Sequence, residues 1–292
     1  MSVPPATPTG FTDKFRDVDG IRLHALVGGN NAGKTVVLLA GFPQDAHAWL
    51  KTAANLAGRY RLVIPELPGQ GQSTRPADGY DTQTMAIRIH GLLHQLGLTR
   101  YSLVAHDVGA WTAFPYGLLY GDEIDRLALL DAGIPGITLP TAVPLDPDHA
   151  WKTWHFAFHQ VADLPETLLR GHERDYIAWF LRAKTHDPAT FSDADIDLYT
   201  EAFIAEGGVH AGLAYYRAAA RSAEQNHTLL QTHRFTMPVL GVSAQHGSIP
   251  DMTTPVRAHA DNARNVTIPN CGHFIPDEQP ELLAAALQQF IG

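Results

Sequence analysis

The stretch Leu103-Val104-Ala105-His106-Asp107-Val108-Gly109-Ala110-Trp111 decides the fold. An apolar run ends in a small residue, an acid follows, and Gly109 and Ala110 lead into a helical pattern over residues 111–120. A strand that bends sharply into a helix pushes the middle side chain out of the bend, and the bend closes only if its flanking residues are small. Ala105 and Gly109 meet that demand, so Asp107 is expected at the tip. The competing reading is an aspartate that opens a helix as its cap and does nothing more.

Outward from this bend, residues 21–27, 35–39, 61–64, 102–105 and 126–130 read as strands, and residues 82–96 and 111–120 as helices. Continuous apolar strands alternating with helices predict a mostly parallel sheet covered on both faces. A proline-rich segment, residues 135–147, then changes the character of the chain. Residues 151–230 are helical in pattern and rich in aromatics and histidine. Strand text returns at 238–242 and 265–268, and a last helix is expected over about 277–290. The expected architecture is therefore an α/β core, residues 1–135 and 232–292, interrupted by an all-helical insertion, residues 136–231. An insertion at the carboxyl ends of the strands lies over the place where such sheets bind ligands.

The 292 residues are 45% hydrophobic and 17% charged, a composition of globular proteins. A net charge of −9 with no basic stripe argues against nucleic acid and anionic membrane surfaces as partners. A single cysteine, Cys271, rules out an intrachain disulfide. The sequence has neither a cationic start followed by an apolar run nor a spanning apolar stretch, so a soluble, cytoplasmic enzyme is expected.

Residues 28–35, Gly-Gly-Asn-Asn-Ala-Gly-Lys-Thr, match a phosphate-binding loop letter for letter. That loop needs a helix after it, whose first N–H groups cradle phosphate. Residues 36–39 read as strand instead, so a hairpin turn is expected here. His90/His94 and His155/His159 are each spaced to share a helix face, but no third ligand stands near either pair. Neither a metal nor a cofactor is expected.

A carboxylate at the tip of the bend can attack an electrophilic carbon and form an ester. The loop Pro269-Asn270-Cys271-Gly272-His273-Phe274 places His273 before the last helix, where it could activate the water that cleaves such an ester. A base of this kind needs a carboxylate to fix its tautomer. Asp131, at the end of the strand after the bend, is preferred to Asp251. Donors for the ester carbonyl are expected from the N–H of Val108 and from the loop Ala40-Gly41-Phe42-Pro43-Gln44.

These motifs resemble the α/β hydrolases of the epoxide hydrolase and haloacetate dehalogenase branch. Residues 40–43, Ala-Gly-Phe-Pro, are similar to that branch's His-Gly-x-Pro loop, with Ala40 in place of the histidine. Residues 66–73, Glu-Leu-Pro-Gly-Gln-Gly-Gln-Ser, are similar to its Asp-x-Pro-Gly-x-Gly-x-Ser turn. In the insertion, Trp154-His155-Phe156 and Tyr215-Tyr216-Arg217-Ala218 resemble the cap of the Cif-like epoxide hydrolases, where a His and a Tyr stand for the usual two tyrosines.

The resemblance implies an Asp107 ester hydrolysed through His273 and Asp131, with His155 and Tyr216 assisting the leaving oxygen. It implies a small-molecule epoxide as substrate, a vicinal diol as product and, on resemblance alone, a homodimer. Phe42, Val108, Trp111 and Phe156 are expected to line the substrate site. The aromatic character of the insertion (Trp151, Trp154, Phe156, Phe158, Trp179) suggests a small, uncharged epoxide. Haloacetate dehalogenases of the branch carry arginines just after the nucleophile, where this chain has Val108 and Trp111, and apolar residues cannot pair a carboxylate. Dehalogenation by the same Asp107 is the alternative. A ligand-binding protein without catalysis is more remote, because it would not need Asp107, Asp131 and His273 together.

Overall fold

In the computed structural model, which describes residues 6–142, 144 and 146–292, one sheet carries the molecule. Its strands are β1 (Phe11–Val18), β2 (Ile21–Gly29), β3 (Thr35–Leu39), β4 (Arg61–Pro65), β5 (Tyr101–His106), β6 (Ile124–Leu130), β7 (Val239–Ala244) and β8 (Ala263–Ile268). Their spatial order is β1-β2-β4-β3-β5-β6-β7-β8. From β4 to β8 all neighbours are parallel, and β1 and β2 add an antiparallel edge.

Alternation along β5 explains why the sheet is covered twice. Leu103 and Ala105 enter one apolar core, while Val104 enters the other. The first core is closed by α2 (Thr82–Gln95) and α3 (Val108–Leu119), the second by α1 (Leu50–Leu56) and, near the C-terminus, by the helix Pro280–Ile291. In α2, Met85, Ile89, Leu92 and Leu93 recur at helical spacing and are all buried, and Asp81 caps the helix by accepting from Thr84 N at 3.1 Å.

Between β6 and β7 the described residues form helices and no strand: α4 (Pro147–Gln160), α5 (Leu164–Leu169), α6 (Glu173–Ala183), α7 (Asp193–Ile204), α8 (Gly208–Arg217) and α9 (Ala219–Leu230). Helix α9 lies against α2 and α3, and Thr82 N donates to Ser222 Oγ at 3.1 Å. The last two helices are α10 (Ile275–Glu278) and α11 (Pro280–Ile291). The single expected helix over 277–290 is thus two pieces that meet at Gln279, where a non-helical backbone (φ −135°, ψ 57°) before the following proline breaks the turn.

Two expectations need correction. Residues 30–34 do turn between strands, but not as a hairpin, because β4 lies between β2 and β3 in the sheet. The strand that follows, β3, leaves no helix N-terminus for a phosphate. Strand β1 was not expected, since its half-buried, polar sequence FTDKFRDV carries little apolar signal and owes its pairing to the neighbouring edge of β2.

Candidate active site

The bend forms as the sequence requires. Asp107 follows β5 and precedes α3, with φ 52° and ψ −122°, a backbone conformation that side chains other than glycine rarely adopt. Close packing holds it there. A Cβ on Gly109 would lie 2.6 Å from the Leu39 carbonyl oxygen, and one on Gly41 would lie 2.3 Å from Asp107 Cβ. Small residues on both sides of the acid are therefore a steric necessity.

The two oxygens of Asp107 have different surroundings. Oδ1 accepts from Phe42 N at 2.7 Å, and Oδ2 lies 3.5 Å from His273 Nε2. The N–H of Val108 also favours the ionised carboxylate. Burial by itself would raise the pKa of Asp107, but the hydrogen bond and charge of His273 outweigh it and hold the acid well below the usual carboxylate range.

His273 sits between β8 and α10, buried, with Nδ1 2.8 Å from Asp131 Oδ2. Desolvation opposes its charge, yet its hydrogen bonds to Asp107 and Asp131 raise its pKa to about 9. Asp131 ends β6 at φ 32° and accepts from Ser248 N at 3.0 Å and Ile249 N at 2.9 Å. The loop after β7 therefore supplies amide donors to Asp131, a contribution without any side-chain signature in the sequence. Asp251 points elsewhere: it accepts from Thr253 N at 2.8 Å and pairs with Arg257. His106 lies behind, its pKa pushed down to about 4 by burial and by His273. It is therefore neutral and donates from Nε2 to the His273 carbonyl at 2.8 Å.

The loop that presents Phe42 N is braced from the 66–73 turn. Gln70 Nε2 donates to the carbonyls of Ala40 and Gly41 at 3.3 and 3.4 Å, so the loop is fixed although Ala40 replaces a histidine. Glu66 is buried in that turn, accepting from Gln72 N at 2.6 Å and lying 2.9 Å from His24 Nδ1. Asp45, His47 and Glu66 bring ligand atoms within 4.8 Å of one another, a grouping not expected from the sequence. Asp45 Oδ1 is already 2.8 Å from His47 Nδ1, while Glu66 is engaged by His24 and Gln72.

A cavity of about 720 Å³, its mouth included, opens on Asp107 and His273. Trp111, His155 and Phe156 line it. His155 is buried and neutral, its pKa driven well down by desolvation and by the charge of Lys184. Its Nδ1 has no hydrogen-bond partner among the described residues. Tyr216 is buried next to two of these lining residues, its ring 5.5 Å from His155 and 5.6 Å from Trp111, edge to face, and burial together with the charge of Asp107 holds its hydroxyl protonated. Phe42 and Val108 contribute backbone N–H groups. His159, on the same face as His155, pairs through Nε2 with the Tyr176 hydroxyl.

The cavity is not the wholly apolar chamber that the aromatic insertion suggested, because Lys152 and Lys184 are on its wall. Lys184 directly follows α6, and its carbonyl accepts from His273 N at 2.8 Å. Desolvation brings its pKa down to about 8 against the opposing pull of Asp107 and Asp131. No motif announces either lysine. Only the packing of the insertion onto the histidine loop brings them in.

A parallel sheet, an acid on a strained strand-to-helix bend and a histidine loop before the last helices are matched by one family model, described as alpha/beta hydrolase fold, over residues 34–280. The chain belongs to the α/β hydrolases. This hydrolase is 28% identical over 292 residues to the soluble epoxide hydrolase of Corynebacterium sp. (strain C12), a match covering 97% of this chain and 98% of that protein. It is also 28% identical over 292 residues to the fluoroacetate dehalogenase of Burkholderia sp., covering 97% and 94%. Among solved structures it is similar to wild-type Cfl2 from Burkholderia cenocepacia, at 53% identity, a TM-score of 0.95 and 97% of each chain. Both branches named by the sequence resemblance are thus present among its relatives at equal identity. No described helix of the hydrolase is long and apolar enough to cross a membrane.

Proposed function

We propose that this hydrolase opens epoxides to vicinal diols through an ester on Asp107. The observation that carries the reading is the division of labour on that carboxylate: Oδ1 is held by Phe42 N–H, while Oδ2 faces the cavity side near His273. A serine at this position would be deprotonated by the histidine, whereas an ionised aspartate is already a nucleophile.

In the first step Oδ2 bonds to a ring carbon and the ring C–O bond breaks, its electron pair passing to the oxygen. His155 and Tyr216 donate hydrogen bonds to that oxygen. The proton that completes the alcohol comes from His273, which holds it in the resting state between two carboxylates. Esterification removes the charge of Asp107, so His273 becomes a neutral base in the next state. It then takes a proton from water as the water oxygen attacks Asp107 Cγ, with the N–H groups of Phe42 and Val108 holding the oxyanion on Oδ1. Collapse releases the diol oxygen, which takes the remaining water proton. Asp107 returns as carboxylate and His273 as imidazolium.

In this reading residues 136–231 act as a cap over a core of residues 1–135 and 232–292, and the working unit is a homodimer by resemblance. The Corynebacterium epoxide hydrolase supports this reading, and what separates it from dehalogenation is Trp111, which stands where haloacetate dehalogenases of the branch carry an arginine. The test uses His273→Gln, which lacks the base: attack is slower, the alkoxide taking its proton from solvent, and the ester accumulates. Incubated with terminal epoxides, it should gain the mass of the whole epoxide on the peptide containing Asp107. A gain equal to a haloacetate minus its halide, with no epoxide adduct, would replace the reading with dehalogenation.

A further inference from the structure

We propose that Lys184, with Lys152 beside it, receives a carboxylate carried by the substrate, so that the cavity selects acids over their neutral analogues. The inference deepens the reading of Asp107 as the nucleophile and names the class of molecule on which it acts.

The argument begins with charge. Asp107 and Asp131 on the cavity wall face three cations, His273, Lys152 and Lys184, so the wall holds one positive charge in excess. The two carboxylates are already engaged, by His273 and by backbone N–H groups. In the same insertion the half-buried Arg217 has a carboxylate partner, Glu166 at 2.6 Å. Lys184 has none within 4.0 Å among the described residues. Its Nζ has only the carbonyl of Lys152 at 3.5 Å and the face of Phe180 at 4.8 Å. The Lys152 ammonium lies 5.6 Å over the ring of Trp151. An ammonium drawn out of water without a counter-ion is costly, and a bound anion offsets that cost.

Position supports the same conclusion. Lys152, Lys184 and His273 also line a smaller cavity that adjoins the first, together with Gly247 and Ser248. Both lysines thus border both spaces, and Asp107 lines only the larger one. An acid group held there leaves the reactive carbon free to face Asp107. The pin between Lys184 O and His273 N fixes this geometry relative to the base.

The sequence argument against a charged substrate rested on Val108 and Trp111, the residues next to the nucleophile. The structure adds Lys152 and Lys184 to the same cavity. An epoxy acid and a haloacid share the carboxylate, and the arms of the test separate them.

The experiment compares kcat/KM for 3,4-epoxybutanoate and 5,6-epoxyhexanoate with their primary amides, and for chloroacetate with chloroacetamide. It uses the wild-type enzyme, Lys184→Gln, Lys184→Met and Lys184→Arg, each checked for a folded state by circular dichroism. An epoxy acid should exceed its amide by about tenfold or more in the wild type. The ratio should fall to near one in Lys184→Gln and Lys184→Met, through KM, and be partly retained in Lys184→Arg. A wild-type ratio at or below one overturns the inference, as does an equal loss on acid and amide, which would make Lys184 a general electrophile. If no epoxide turns over, the hydrolysis reading fails by itself. The inference is then decided by calorimetry with pentanoate and pentanamide: binding of pentanoate that disappears in Lys184→Met upholds it, and equal binding of acid and amide overturns it.

Discussion

In the mechanism proposed above, His273 changes its job when Asp107 loses its charge, and the two jobs pull pH dependence in opposite directions. In the free hydrolase, burial opposes protonation but Asp107 and Asp131 together raise the pKa to about 9. The proton that His273 gives to the opened ring is therefore present below that value and lost above it, so the alkylation rate should fall as pH rises through about 9. In the ester, one of the two carboxylates is neutralised, the His273 pKa drops, and ester hydrolysis should slow as pH falls through this lower value. Rapid-quench measurement of the two steps separates the limbs. A single limb common to both steps would contradict the switch. The same logic ranks the two candidate partners. Asp131→Asn removes the group 2.8 Å from Nδ1 and should slow ester hydrolysis by about 10²–10⁴-fold. Asp251→Asn, whose carboxylate serves Thr253 and Arg257, should stay within about twofold of wild type.

At the scale of elements, the bend between β5 and α3 was legible because its chemistry excludes most residues. Ala105, Asp107 and Gly109 carry the signal, and the structure supplies the reason in the close approach of Leu39 and Ala40 to Gly109. The histidine loop was legible for a similar reason, since a histidine between a strand and a final helix has a chain-order meaning. Lys184, Gln70 and the amides of Ser248 and Ile249 were not. They act by where packing puts them, and a lysine after a helix or a backbone N–H in a loop looks the same in any protein. Tyr216 was suggested only by its likeness to a cap tyrosine, and packing sets its ring 5.5 Å from that of His155. Gly41 turns this into a prediction. An added Cβ would meet Asp107 Oδ1 at 2.5 Å and Cγ at 2.8 Å, so Gly41→Ala must displace the nucleophile or the loop that presents Phe42 N. A shift of about 1 Å can cost about 10²-fold in rate, and kcat/KM should fall by that order while far-ultraviolet circular dichroism stays native. A variant of full activity would mean that the contact between this loop and the bend is loose.

At the scale of the whole molecule, buried histidines of two kinds bound the pH range of stability. His106 in the core and His155 and His159 in the helical insertion are neutral, their pKa values lowered chiefly by burial, to about 4 for His106 and about 3 for His159. The unfolded chain takes up protons at these positions below about 6.5 and the folded one does not, so stability falls as pH drops below that value. His24, His47 and His273 behave oppositely: burial opposes their charge, but carboxylate partners raise their pKa values. Their contribution is complete below about 6.5 and is lost as pH rises through the raised values, about 9 for His273. Stability should therefore peak between these limbs, near neutrality. On the acid side each neutral histidine contributes a slope of about 1.4 kcal/mol per pH unit between its unfolded and folded pKa values. His159→Phe isolates one of them. The variant loses the pairing with Tyr176, so its Tm at pH 7 should be lower, yet its decline from pH 6.5 to 5 should be shallower by about 2 kcal/mol. The slope carries the test and the starting Tm does not. Parallel acid limbs in the two proteins would mean that His159 is protonated in the fold, and that the insertion opens to water long before the core does.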